Sequence, residues 1–303
     1  MAARVAERES QIVLGLDPDP SALWPAGSRG SEQGTPAERA AAAVLAHCMA
    51  LIDATAPACV AVKLQLACFE RLRAPGWSAL EAVAYHARAS GLLVIADGKR
   101  GDISVSAAAY AQGLMGGMAT PFGDVPGLGA DLVTVNPLMG SDAIEPFVSA
   151  ARAVGAGVLV LVRTSNPGAA DVEDLELEHG DAVWERVAGI VETLGRGGVG
   201  EAGLSDVGAV MGATAPEHLE RARALMGRTS FLLPGIGAQG GRVEDLAPAF
   251  TAGRAGGLVT ASRSIANAHR AGSGGPAAAA RAEAERLREA TWALSDGVCA
   301  TVR

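Results

Sequence analysis

Aromatic residues make up only 4% of the 303 positions, and cysteine occurs four times, at Cys48, Cys59, Cys68 and Cys299. No two of these form a C-x-x-C pair, so neither a zinc ribbon nor a disulfide framework is implied, and reduced, buried thiols are expected. The five histidines, His47, His86, His179, His218 and His269, show no H-E-x-x-H or other ligand spacing and read as packing or surface residues. Basic charge is also short. A net charge of -8 with no long Lys/Arg run argues against a nucleic-acid partner held by counterion release. No uninterrupted apolar stretch reaches membrane-spanning length, and the charged amino terminus lacks the apolar segment of a secretory signal. A soluble cytoplasmic protein is therefore expected. What the chain has in quantity is aliphatic and small residues: 49% is hydrophobic and 19% charged, enough for a sizeable core.

Length alone leaves one large domain or two ordinary ones open. The apolar runs are more informative. Eight short ones, at 12–16, 59–64, 92–96, 132–135, 158–162, 207–211, 231–233 and 257–260, are mostly continuous, as strands buried on both faces of a parallel sheet should be. Helix-compatible segments separate them, at 36–54 (with Thr35 as N-cap), 78–90, 104–115, 142–154, 181–194, 216–226 and 243–252, and a last helix follows near 276–294. Eight strand-then-helix units predict a single (β/α)8 TIM barrel of class α/β spanning residues 1–303, with loop excursions near 18–35, 115–130 and 166–181.

The strand ends break the apolar rule. Asp17, Lys63, Asp97, Lys99, Asn136, Thr164, Ser165, Thr214, Gln239, Ser262 and Arg263 all follow or close an apolar run, and a barrel brings those carboxyl ends to one face, where its active sites lie. Asp97 and Lys99 are two apart, so on a strand they point the same way. A salt-bridged strand end would look similar on that segment alone; the other polar ends favour a site. Gly235-Ile236-Gly237-Ala238-Gln239-Gly240 satisfies G-x-G-x-x-G, yet it follows the seventh run instead of opening a βαβ unit. A dinucleotide fingerprint is therefore disfavoured against a phosphate grip, the usual use of the loops after strands seven and eight. Gly237 allows backbone N–H groups to approach an anion, and Gln239 and Arg263 offer an amide and a planar cation.

With Asp97-x-Lys99-x-x-Asp102-Ile103, the Pro234–Gly240 segment and Ser262-Arg263-Ser264-Ile265 in this order, the chain resembles the orotidine 5′-phosphate decarboxylase family. The likeness is strongest to its longer bacterial branch, which carries similar Lys-x-Gln, Thr-Ser-Asn-Pro-Gly and Gly-Ala-Thr-x-Pro segments, here at 63–65, 164–168 and 212–216. The resemblance implies decarboxylation of orotidine 5′-monophosphate to uridine 5′-monophosphate, the last step of pyrimidine nucleotide biosynthesis, without metal or organic cofactor. It implies a charged array of Lys63, Asp97, Lys99 and Asp102, with Asp102 reaching the neighbouring site across a homodimer. It further implies that Lys99 stabilises the ring carbanion and supplies the proton, Asp17 and Lys63 hold the ribose, Ser165 meets the pyrimidine, and Gln239 and Arg263 take the phosphate. Ser106 stands where the family more often has Thr, Gly98 where Ala is commoner and Leu64 where this branch often has Pro; none of these removes a functional group. Metal-dependent phosphosugar barrels share Asp-x-Lys-x-x-Asp, but Ser165 and Gln239 match the nucleotide branch. A silent nucleotide-binding barrel is the other alternative.

Overall fold

A computed structural model describes residues 1–25, 33–237, 240–271 and 274–302. Ten strands occur among them: β1 (Ile12–Leu16), β2 (Ala61–Gln65), β3 (Leu93–Arg100), β4 (Met118–Thr120), β5 (Gly123–Val125), β6 (Leu132–Val135), β7 (Gly157–Arg163), β8 (Val207–Met211), β9 (Phe231–Leu233) and β10 (Gly257–Ala261). Eight of them close a barrel in the order β1-β10-β9-β8-β7-β6-β3-β2, every neighbouring pair parallel. The eight apolar runs are thus the eight barrel strands. Their continuity follows from burial on both faces: β1, β8, β9 and β10 are buried at every position.

Alternation along the strands sorts those residues into two cores. Ile12, Leu14, Val62, Leu64, Val94, Val133, Val158 and Val259 face outward to the helices, whereas Val13, Ala61, Ile95, Leu159, Leu232 and Leu258 fill the barrel itself. The inner core is closed at the amino-terminal end by α1 (Ala2–Arg8), whose Val5 joins it. Arg8 anchors that helix by donating to the carbonyls of Ala56, Cys59, Ser90 and Gly91.

The remaining helices form the outer ring: α2 (Pro36–Thr55), α3 (Leu66–Glu70), α4 (Arg73–Ala89), α5 (Ser104–Leu114), α6 (Ser141–Val154), α7 (Val183–Gly195), α8 (Glu217–Leu225), α9 (Arg263–Ala266) and α10 (Pro276–Val302). Thr35 caps α2 as expected, in a full capping box with Glu38. Residues Pro36–Ala58 are long and apolar enough to cross a membrane by composition, but Val44, Cys48, Leu51 and Ile52 are spent on the outer core. Helix α4 starts at Arg73, five residues before the expected 78, because Pro75 falls in its first turn, where a missing N–H costs no hydrogen bond. The segment Val243–Ala252 is 3-10 rather than α, and contains Pro248, which cannot donate within a helix. The final helix runs past 294 to Val302. The excursion at 115–130 contains the β4–β5 hairpin, which the composition does not announce.

Candidate active site

The polar strand ends meet as the barrel requires. Lys63, Asp97, Thr134 and Thr260 each stand two residues beyond an inward apolar residue (Ala61, Ile95, Leu132 and Leu258), so they form the layer above the inner core. Above them opens a cavity of about 360 Å³, lined among others by Asp17, Lys99, Ser165, Gly235, Ser262 and Arg263, a size suited to a small ligand.

Its floor is a chain of alternating charge. Lys63 Nζ lies 2.6 Å from Oδ2 of Asp97 and 3.6 Å from Oδ1 of Asp17, and Lys99 Nζ lies 2.7 Å from Oδ1 of Asp97. Asp97 is 6% exposed, and each of its oxygens takes one cation and one neutral donor. Thr134 Oγ1 donates to Oδ1 at 2.9 Å, and the Gln65 amide, in the orientation its neighbours dictate, donates to Oδ2 at 3.0 Å and to the Asp97 carbonyl at 2.8 Å. Burial by itself would raise the Asp97 pKa, but Lys63 and then Lys99 outweigh it and hold the carboxyl down to about 2. Burial would likewise depress the Lys63 ammonium; Asp97 and Asp17 prevail and push it above its ordinary value. Asp97 and Lys63 are therefore both ionised at neutral pH.

Backbone geometry presents Lys99. The register of β3 against β6 shifts between Ala96 and Arg100, and Lys99 itself is left-handed at φ 48°. That region is sparsely populated for residues with a side chain, and such strain concentrates at functional sites. Just beyond, Arg100 is held by Glu70 and lies over the Tyr110 ring.

The wall bearing Ser165 is fixed by the β7–α7 loop. Arg163 forms a two-pronged pair with Asp174, both contacts at 2.8 Å, and the Thr164 N–H donates to Glu173 at 2.8 Å. Gly212 is required here, since a Cβ would fall 2.8 Å from the Ser165 Cα. Two strands along the barrel, the loop after β9 carries Gly235 at φ 110° and Gly237 at φ 76°, left-handed positions suited to glycine. Arg263 opens α9 at the cavity edge, and its guanidinium makes no hydrogen bond to the protein among the described residues. Gln239 lies outside the described residues.

Asp17, Lys63, Asp97, Lys99, Ser165 and Arg263 thus line one cavity. Asp102 and Ser106 do not line the cavity of their own chain; Asp102 Oδ1 accepts from the Ile103 N–H, and Ser106 sits on α5. Sequence reasoning misses Thr134, Thr260 and the link from Gln65 to Asp97. Thr134 is the one polar residue in Leu-Val-Thr-Val, which is a usable signal. Among the described residues no group of three His, Cys, Asp or Glu side chains is arranged to hold a metal ion.

A closed (β/α)8 barrel with a Lys63–Asp97–Lys99 chain of ion pairs at its strand ends defines a barrel enzyme. Residues 10–282 match the family described as Orotidine 5'-phosphate decarboxylase / HUMPS family, and the chain belongs to it. It is 43% identical over 263 residues to the orotidine 5'-phosphate decarboxylase of Deinococcus radiodurans, covering 86% of each chain. It is 40% identical over 268 residues to that of Rhodopirellula baltica, covering 88% of this chain and 87% of the relative. The solved structure of Leishmania donovani OMP decarboxylase superposes with a TM-score of 0.72 at 31% identity, covering 97% of this chain and 98% of that one.

Proposed function

We propose that the chain removes CO2 from orotidine 5′-monophosphate to give uridine 5′-monophosphate, the last step of pyrimidine nucleotide biosynthesis, as a soluble cytoplasmic homodimer. The observation that carries this reading is the Lys63–Asp97–Lys99 chain at the floor of a cavity rimmed by Gly235 and Arg263.

Breaking the ring–carboxylate bond leaves its electron pair on a ring carbon with no adjacent carbonyl to absorb it. Lys99 meets both needs of that intermediate: its ammonium stabilises the pair, and its proton then joins the carbon. Its side chain is 42% exposed, so the amine regains a proton from water. Held on Asp97, the ammonium needs no reorganisation as charge develops. An ion pair at about 4 Å is worth roughly 4 kcal/mol at an effective dielectric near 20, or about a thousandfold in rate if realised only in the transition state. The rest must come from binding energy away from the reacting carbon. Asp17 and Lys63 would hold the ribose, Ser165 the pyrimidine, and Arg263, Gln239 and the backbone at Gly237 the phosphate. Each of these residues that is described faces the cavity or flanks its glycine loop.

The dimer reading rests on family likeness and on the surface around Asp102. Ile103, Val105 and Tyr110 on one side and Leu138 and Met139 on the other are exposed apolar residues on or beside α5 and α6, which pack together. A second copy seated there would cover them and bring Asp102 and Ser106 of the partner subunit toward the site.

Loss of orotidine 5′-monophosphate ultraviolet absorbance with purified protein and excess chelator tests the reaction. Rapid loss with formation of uridine 5′-monophosphate is expected; no loss under these conditions overturns it, and activity only with added metal and a phosphosugar would move the chain to the metal-dependent barrels of its family.

A further inference from the structure

We infer that Thr134 is a positioning residue, whose single hydroxyl ties the Asp97 carboxylate to the backbone of Lys99. The inference rests on the role of Lys99 proposed above. Thr134 lies on β6, is 1% exposed, and reaches the same layer as Lys63 and Asp97. Its Oγ1 donates to Oδ1 of Asp97 at 2.9 Å and accepts from the Lys99 N–H at 2.9 Å, so its one donor is spent on the carboxylate while a lone pair takes the amide.

Both halves of this bridge are placed where the strand cannot supply a substitute. The β3–β6 register shifts between Ala96 and Arg100, and a residue inside such an irregularity leaves the ladder. The Lys99 amide is inside it, left-handed, and its acceptor is a side chain. The Oδ1 atom that receives the Thr134 hydroxyl is also the one that holds Lys99 Nζ. One hydroxyl therefore fixes the base of the Lys99 side chain and the anchor of its tip. The charged groups around Asp97 are Lys63 from β2, Lys99 from β3 and, beyond Lys63, Asp17 after β1. Thr134 adds an uncharged donor to this set, which favours the ionised carboxylate.

Valine replaces the hydroxyl by a methyl of similar size. Thr134→Val is expected to lower kcat by about 10- to 100-fold, the scale of one lost hydrogen bond to a charged group. KM and the affinity for uridine 5′-monophosphate should stay within about threefold, because the phosphate grip is untouched. The acid limb of the kcat profile should move to higher pH, since Asp97 protonates more easily without the donor. Thr134→Ser, which keeps the hydroxyl, should restore kcat to within about threefold of the unmodified protein, and Thr134→Ala should repeat the loss without the added methyl. An unchanged kcat and acid limb in Thr134→Val and Thr134→Ala overturns the inference, as does a Thr134→Ser variant as impaired as Thr134→Val, which would make packing the cause. A carbon-13 NMR titration of the Asp97 carboxyl gives a readout independent of turnover. If the unmodified protein decarboxylates nothing, the proposed function fails by itself, and an upward-shifted Asp97 titration in Thr134→Val still supports the bridge while an unshifted one overturns it.

Discussion

Asp97 and Lys99 make a 2.7 Å ion pair although they are only two residues apart on one strand. In a regular strand such residues share a face but lie about 6.6 Å apart along it. The lysine stem spans that distance here from a left-handed backbone at φ 48°. Lys99→Ala is expected to reduce turnover by about a thousandfold or more. Affinity for uridine 5′-monophosphate, measured by calorimetry, should remain within about tenfold, because the phosphate contacts lie elsewhere. Normal turnover in this variant would remove Lys99 from the chemistry.

Asp97 has a second consequence, for stability. Asp97→Asn leaves the buried Lys63 ammonium without its 2.6 Å partner, and breaking a buried pair from one side costs about 3–5 kcal/mol. Urea unfolding should show that loss as a lower midpoint with an unchanged slope. The acid behaviour follows from the same group. Its folded pKa of about 2 lies below the ordinary 3.8, so the stabilisation is present above pH 3.8 and is lost as pH falls toward 2, amounting to about 2 kcal/mol. The Asn variant should lack that segment of the stability curve.

His47 sets a milder pH window. Its Nδ1 accepts from the Trp24 N–H at 3.1 Å, and its ring meets the Trp24 indole edge-on at 5.4 Å. Burial, helped by nearby His269, lowers its pKa from 6.5 to about 4. The unfolded chain therefore takes up this proton first, and stability falls as pH drops from 6.5 to 4, by up to about 3 kcal/mol. His47→Gln, which keeps an acceptor for Trp24, should flatten thermal stability across this interval. An undiminished slope would show that His47 is not the titrating group.

Arg263→Ala is expected to weaken uridine 5′-monophosphate binding by about 10- to 100-fold, the scale of a charge-assisted hydrogen bond. Uridine, which has no phosphate, should bind both proteins alike. Equal loss for both ligands would mean that the substitution disturbs the cavity instead of the phosphate.

Asp102 can be tested by mixing. Lys99→Ala and Asp102→Ala proteins should each be nearly inactive alone. If Asp102 serves the neighbouring site, subunit exchange places both native residues in one site of each mixed dimer, and statistical mixing restores about a quarter of full activity. No recovery after verified exchange would place Asp102 in its own subunit's site or outside the site altogether.

Much of this molecule is legible along the chain because burial on two faces writes a continuous apolar run, and a strand's alternation assigns each neighbour to a face. That is why eight runs correspond to eight barrel strands with only small changes at their ends, and why the two-residue spacing of Asp97 and Lys99 is enough to put both on one face. Local pattern also places the Thr35 capping box. It does not say which residue of another strand stands across from Asp97, since that depends on register and closure, which are set by contacts between distant segments. Thr134, 37 residues away, and Gln65 become partners of Asp97 only once β2, β3 and β6 lie side by side. The register shift that frees the Lys99 amide is of the same kind: Gly98 within 96–100 permits an irregularity there, but only pairing with β6 fixes where the shift falls.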